Sequence, residues 1–271
     1  MIGINTNAAS LVAQKNLNNN VAGLTNNITR LSSGLRVNSA RDDAAGLAIA
    51  TRMSADTRGM EVAKRNANDG ISALQVADGT ISSITDNLQR MRELAVQSAT
   101  GTLTASDRTN LDAEYQSLSA EITDQAAKAN FNGVNLLDGS VASLDIQTGS
   151  KNGDVVSISL TDAATAVTAS AAGNLTTAAN ANTALTNIDA AMDTLNSGRA
   201  TLGAGMNRLD AVVSNLTTTV TNLSAARGRI MDADFAAETA SLTRSQILQQ
   251  AGTAMLAQAN QLPNNVLSLL K

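Results

Sequence analysis

The sequence predicts a mainly α fold: an elongated antiparallel coiled-coil or helix-bundle rod with a small β-hairpin region and paired N- and C-terminal helices. Three observations predict it. Apolar residues recur at alternating spacings of three and four over very long runs, which is the pattern of a helical seam. A single Pro in 271 residues leaves long helices almost free of their main breaker. The large aromatics that usually fill a globular core are nearly missing, with no Trp, one Tyr and two Phe, so the 43% apolar content falls to Ala, Leu, Val, Ile and eight Met. Small apolar side chains suit helices packed at close range.

The N-terminal segment carries Leu17, Val21, Leu24, Ile28, Leu31 and Leu35 in seam register and reads as helix to about Ser32. Ser33, Gly34 and Asn38 then interrupt it, so Ser33 to Arg41 is expected to be an extended connector. A second helix is expected to open at Asp42 and Asp43, whose carboxylates suit a helix N-terminus. Its seam runs through Met60, Ala63, Ala67, Gly70, Leu74, Ala77, Ile81, Ile84, Leu88, Met91 and Ala95. A helix over 43–98 is roughly 84 Å long.

Thr104 and Asp107 resemble a capping box opening a helix over 104–129, with Leu111, Tyr115, Leu118, Ile122 and Ala129 as its buried stripe. The short connection predicts that it folds back antiparallel on its predecessor. In the region 140–160 the period changes to alternation, with Leu144, Ile146, Val156, Ile158 and Leu160 apolar around Lys151-Asn152-Gly153-Asp154. That reads as a β-hairpin with an Asn-Gly turn. Residues 161–182 are Ala, Thr and Asn with little periodicity, a short variable surface excursion or a weak helix.

A third long helix is expected over 183–232, with a seam from Leu185 through Ile188, Met192, Leu195, Leu202, Met206, Leu209, Val213, Leu216, Val220, Leu223 and Ile230. Arg199 and Arg227 fall on seam positions. Two readings are open for them: long stems that reach solvent, or an ion pair with a neighbouring subunit. The final segment repeats the seam with Leu248, Met255, Ala259, Leu262, Val266 and Leu269, and is read as helix on both sides of Pro263.

Residues 1–41 and 239–271 contain no Asp or Glu, although the net charge is −4. An amphipathic helix is marginal in water unless its apolar face is buried. The middle of the chain already has partners for its own seams. The ends therefore need each other and other copies, so that assembly couples folding to binding, and a repeated contact that closes no ring builds an open helical filament. The organisation that follows is 1–42 plus 233–271 as inner terminal helices, and 43–182 plus 183–232 as an outer rod.

Several function classes are disfavoured. With no His and no Cys, the usual zinc sites, thiol nucleophiles and commonest general base are gone, and no cofactor or metal site is expected. Gly203-Ala-Gly205 lies inside a helical seam and is a poor phosphate loop, and paired Asp42 and Asp43 fit helix capping better than acid chemistry. A pI near 4.8 argues against nucleic-acid binding. No stretch predicts membrane insertion, and the N-terminus lacks the features of a Sec-type signal peptide, so secretion would need another route. A carbohydrate-binding surface would have few aromatic platforms.

Particular segments are similar to the bacterial flagellins. They are Ile4 to Asn7, Leu31 to Gly46, Arg65 to Ser72 and Leu88 to Gln97, then Arg229 to Phe235, Gln246 to Gly252 and Ala257 to Leu270. The hook-to-filament junction proteins share terminal helices with this family, but the ending Asn-Gln-Leu-Pro-Asn-Asn-Val-Leu-Ser-Leu-Leu resembles flagellin. The resemblance implies an extracellular filament subunit, a helical homopolymer whose terminal helices line an inner tube. It implies export unfolded through the flagellar type III apparatus, with a secretion chaperone, a cap protein and hook-junction proteins as partners. It implies a thin filament, with surface O-glycosylation acceptors among Ser and Thr of 161–183. It also implies recognition by host innate immune receptors. Arg90, Leu94 and Glu114, flanked by Gln89 and Gln97, align with contacts to the vertebrate flagellin-sensing Toll-like receptor. Thr29 to Ala50, with Asp43 and Gly46, is similar to the segment sensed by the plant receptor kinase.

Overall fold

A computed structural model describes the backbone of residues 6–268 and the side chains of 6–261. The described elements are helices α1 (Ala8–Ser33), α2 (Ala44–Ala99), α3 (Ala105–Lys128), α4 (Ala163–Ala171), α5 (Ala178–Met231) and α6 (Phe235–Ser268). Two short antiparallel ladders accompany them, β1 (Asn130–Phe131) with β2 (Val134–Asn135) and β3 (Ser143–Gln147) with β4 (Val155–Ser159). The chain divides into two compact units, Met1–Ala55 with Asn222–Lys271, and Asp56–Thr221.

The larger unit is built on the predicted seams. Leu74, Ala77, Ile81, Ile84, Leu88, Met91 and Ala95 of α2 and Ile188, Leu195, Leu202 and Leu209 of α5 form a continuous buried core. Arg92 pairs with Asp189 and Asp78 with Arg199, so in this unit α5 runs antiparallel to α2. Arg199 therefore satisfies its charge within its own chain, at 2.8 Å from Asp78, rather than in open solvent or on a neighbour. A partner 121 positions away cannot be read from local spacing.

Helix α3 opens on the capping box foreseen at Thr104 and Asp107, with both reciprocal bonds present. It buries Tyr115, Ser119, Ile122 and Ala126, and its links Asn87 to Gln125 and Arg90 to Glu114 run antiparallel along α2. The two-residue hairpin turn falls at Asn132-Gly133, where φ is 50° and 80°. Positive φ at both central residues is what a type I′ turn requires, and Asn-Gly supplies it at least cost. The second Asn-Gly departs from expectation. Between β3 and β4 the chain makes a wider loop closed by Thr148 N–H donating to the Asp154 carbonyl at 2.8 Å, and only Gly153 there has positive φ.

Alternation still places Ile146, Val156 and Ile158 inward. The two isoleucines seat on glycines: an added Cβ at Gly70 would collide with Ile146 Cδ1, and one at Gly205 would lie 2.9 Å from Ile158 Cγ2. The hairpin thus bridges α2 and α5 where neither offers a side chain.

Residues 161–182 follow the second of their two readings, with the short helix α4. They are held against α3 rather than forming an excursion. Asp162 caps α4 by accepting from Thr165 N–H at 2.8 Å, and Ala163, Val167 and Leu175 are buried. Tyr115 Oη donates to the Ser170 carbonyl at 2.6 Å, Ser119 Oγ to the Ala171 carbonyl at 2.9 Å, and Asp112 accepts from Leu175 N–H at 2.7 Å. Helix α5 accordingly begins at Ala178, earlier than its apolar seam suggests.

In the smaller unit, α1 ends on Gly34, whose φ of 71° is the left-handed C-cap that glycine adopts freely. The connector after it is pinned to the far end of the chain: Arg36 N–H donates to the Met231 carbonyl at 2.6 Å and Ala233 N–H to the Gly34 carbonyl at 3.0 Å. Arg227 donates to Ser54 Oγ at 3.4 Å. Helix α6 continues through Pro263. Among the described residues no helix is long and apolar enough to cross a membrane.

Candidate functional site

Helices α1 and α6 pair antiparallel, and the groups between them are mostly small or polar. Arg30 reaches Glu238 at 3.2 Å, Asn27 donates to Ser241 Oγ at 3.1 Å, Asn20 to the Ser245 carbonyl at 2.8 Å, and Asn7 to the Ala259 carbonyl at 2.8 Å. Leu17 lies across Gly252, where no Cβ intervenes. This pairing leaves the apolar residues at the sides. Val12 is 59% exposed, Leu248 52% and Met255 65%.

These residues line an open groove of about 780 Å³ together with Ala8, Ala9, Ala13 and Leu17. The groove keeps these apolar side chains in contact with water, and covering them would be favourable. Of the residues foreseen as the terminal seams, Val21 and Ile28 are exposed, and Leu17, Leu24, Leu31 and Leu35 are half-buried. Leu248 and Met255 are exposed, the side chains of Leu262 and Val266 lie outside the described ones, and Leu269 lies outside the described residues. Seam counting missed Leu11, Val12, Phe235 and Ile247, all exposed, because they flank the seven-residue register.

The candidate receptor contacts separate into two groups. Gln89, Arg90, Glu114 and Gln97 are exposed. Arg90 binds Glu93 and Glu114, each at 2.8 Å, and these two carboxylates raise its pKa further above the ordinary guanidinium value. Leu94 is 1% exposed and belongs to the core beneath this surface. Of the paired acids, Asp43 accepts from Gly46 N–H at 2.8 Å as the cap of α2, whereas Asp42 accepts from the hydroxyl and N–H of Ser39 and the N–H of Asn38. Those hydrogen bonds to Ser39, then Asn38, hold the Asp42 carboxyl below its ordinary pKa. Gly46 is buried, with Ile230 across from it.

Fold and surface define a class: a helical structural subunit whose middle is closed on itself and whose ends keep an uncovered apolar groove. Residues 4–142 match the bacterial flagellin N-terminal helical region, and residues 185–270 the bacterial flagellin C-terminal helical region. A flagellin of Xenorhabdus nematophila is 41% identical over 309 residues, covering 99% of both chains. One of Halalkalibacterium halodurans is 43% identical over 270 residues, again covering 99% of both. The crystal structure of Bacillus cereus flagellin superposes with a TM-score of 0.52 at 38% identity, covering 60% of this chain and 94% of that one.

The chain belongs to the bacterial flagellin family. It is a structural protein of the extracellular flagellar filament, not an enzyme.

Proposed function

We propose that the groove between α1 and α6, with the stripes Leu17, Val21, Leu24, Ile28, Leu31 and Leu35 and Leu248, Met255, Leu262, Val266 and Leu269, is the surface through which copies of this chain polymerise. In this reading 1–42 with 233–271 forms the inner tube of the filament, and 43–182 with 183–232 lies outside it. The observation that carries it is the exposure of Val12, Leu248 and Met255 along a pair of helices whose mutual contact is polar. The absence of Asp and Glu from 239–271 removes like-charge repulsion between stacked copies. Electron microscopy of the purified chain under polymerising conditions tests it. Long hollow filaments are expected from the native sequence and none from Leu248→Asp, whose monomer keeps its helical circular dichroism. Normal filaments from that variant would refute the assignment.

Export through the flagellar type III apparatus, with a chaperone on the C-terminal segment and cap and hook-junction proteins at the filament's ends, completes this reading. Helices that bury little, as α1 and α6 do, unwind for transit at low cost. Host recognition is supported by the exposed Arg90, Glu93 and Glu114 cluster. Monomer applied to Toll-like receptor reporter cells should signal, and Arg90→Ala should signal less; a silent native chain ends that part of the proposal. Recognition of Thr29 to Ala50 by the plant kinase requires the segment to leave the fold, since Asp43 and Gly46 are engaged there.

A further inference from the structure

The α1–α6 groove contains one oxidisable atom, the thioether sulfur of Met255. The chain has no Cys, so methionine is its most readily oxidised side chain. Met91 is fully buried, and Met53, Met60, Met192, Met206 and Met231 are half-buried. Met255, at 65% exposure, is the open one among the described methionines. It also occupies the surface where a polar atom is least welcome. Apart from Asn16 and Asn20, the groove is lined by Ala, Val, Leu, Gly and Met itself, and the Asn20 amide already donates to the Ser245 carbonyl.

We propose that Met255 is an oxidation-sensitive modification site that gates assembly, an inference that rests on the polymerisation surface assigned above. The co-reactant is a two-electron peroxide oxidant. Hydrogen peroxide transfers one oxygen atom to Sδ, the thioether becomes a sulfoxide, the O–O bond breaks and water leaves, with no net change in protons. The sulfoxide converts a flexible apolar side chain into a strongly polar acceptor. Covered by a second copy, that oxygen would lose water and find few donors lining the groove, the Asn16 amide and the second N–H of Asn20, so its burial is disfavoured. Once a subunit is in place the same covering shields the sulfur. The gate therefore acts on free subunits and spares those already in the filament.

The test uses the full chain. Monomer is treated with graded hydrogen peroxide, oxidised positions are mapped by peptide mass spectrometry, helix content is followed by circular dichroism, and the critical concentration for polymerisation is measured by sedimentation. Met255 should be oxidised first, with helix content unchanged and the critical concentration raised about tenfold. Methionine sulfoxide reductases of both stereochemical classes should restore it. Met255→Leu, measured against its own untreated critical concentration, should show no rise on peroxide treatment, whereas Met255→Gln should behave like the oxidised chain without treatment. Preformed filaments given the same dose should retain unmodified Met255. Polymerisation of the Met255 sulfoxide form at an unchanged critical concentration would overturn the proposal. Equal inhibition of Met255→Leu, or loss of helix on oxidation, would do the same. Those results would leave the assembly surface standing; failure of the untreated chain to polymerise at all would remove both.

Discussion

The pairing of α2 with α5 in the larger unit and the pairing of α1 with α6 in the smaller one draw on the same kind of heptad sequence and bury opposite things. The first puts Leu74, Ile81, Leu88, Leu195 and Leu202 between helices at no exposure. The second puts Asn, Ser, Gly and an Arg–Glu pair there, and within its helices buries only Ser10 and Ala259 among the described residues. An apolar stripe therefore does not say which partner will cover it. In the larger unit it is covered from within the chain, through α3, α4 and the β3–β4 hairpin, while in the smaller unit much of it stays exposed.

This contrast is sharpest at Leu88. Leu88→Ala removes a fully buried side chain and should destabilise the monomer by about 2–5 kcal/mol in urea unfolding. A loss comparable to that of a surface substitution would mean that the core is loose. The next test uses the buried phenol of Tyr115. Desolvation, then the nearby Asp112 charge, raises its pKa from 10.0 to about 12. The native state thus favours the protonated phenol, so this contribution to stability is fully present below pH 10 and is lost as the pH rises from about 10 to about 12. Phenolate absorbance should follow that late titration, and an ordinary value would show α4 undocked from α3.

Gly70→Ala sets overpacking against Ile146, about 1–3 kcal/mol, against a helix-propensity gain of about 1 kcal/mol. A net loss near 1 kcal/mol is expected in the same unfolding assay, and a stabilised variant would show that the hairpin does not seat there. Arg199→Met breaks a partly exposed pair with Asp78 and should cost about 0.2–1 kcal/mol. Leu248→Ala closes the series. Monomer stability should change by less than about 0.5 kcal/mol, while the critical concentration for polymerisation rises. A large loss in the monomer would place Leu248 in an internal core.

Much of this was legible beforehand. The long helices follow from three-four spacing, the α3 cap from Thr104 and Asp107, and the inward face of β3 and β4 from alternation. Of the exposed apolar residues on α1 and α6, Leu248 and Met255 came from register while Val12 and Ile247 did not. For α4 a weak helix was one of two readings, but its docking escaped because Ala, Thr and Asn give almost no period. What holds it are hydroxyl, phenol and carboxylate groups of α3 aimed at its backbone, and such matches cannot be seen along one strand of sequence. The tight turn was written as Asn132-Gly133, but a second Asn-Gly nearby competed for the same reading.

Periodicity, composition and the scarcity of helix breakers determined that this chain is mainly helical, because helix faces are set by local spacing alone. They determined equally that both ends carry apolar stripes with almost no acidic charge. Only the tertiary structure decided which stripes are already covered. Burial is a property of what lies across from a residue, and for Arg199, Ser170 and Met255 that is fixed by segments far away in the chain, or by none in the single molecule.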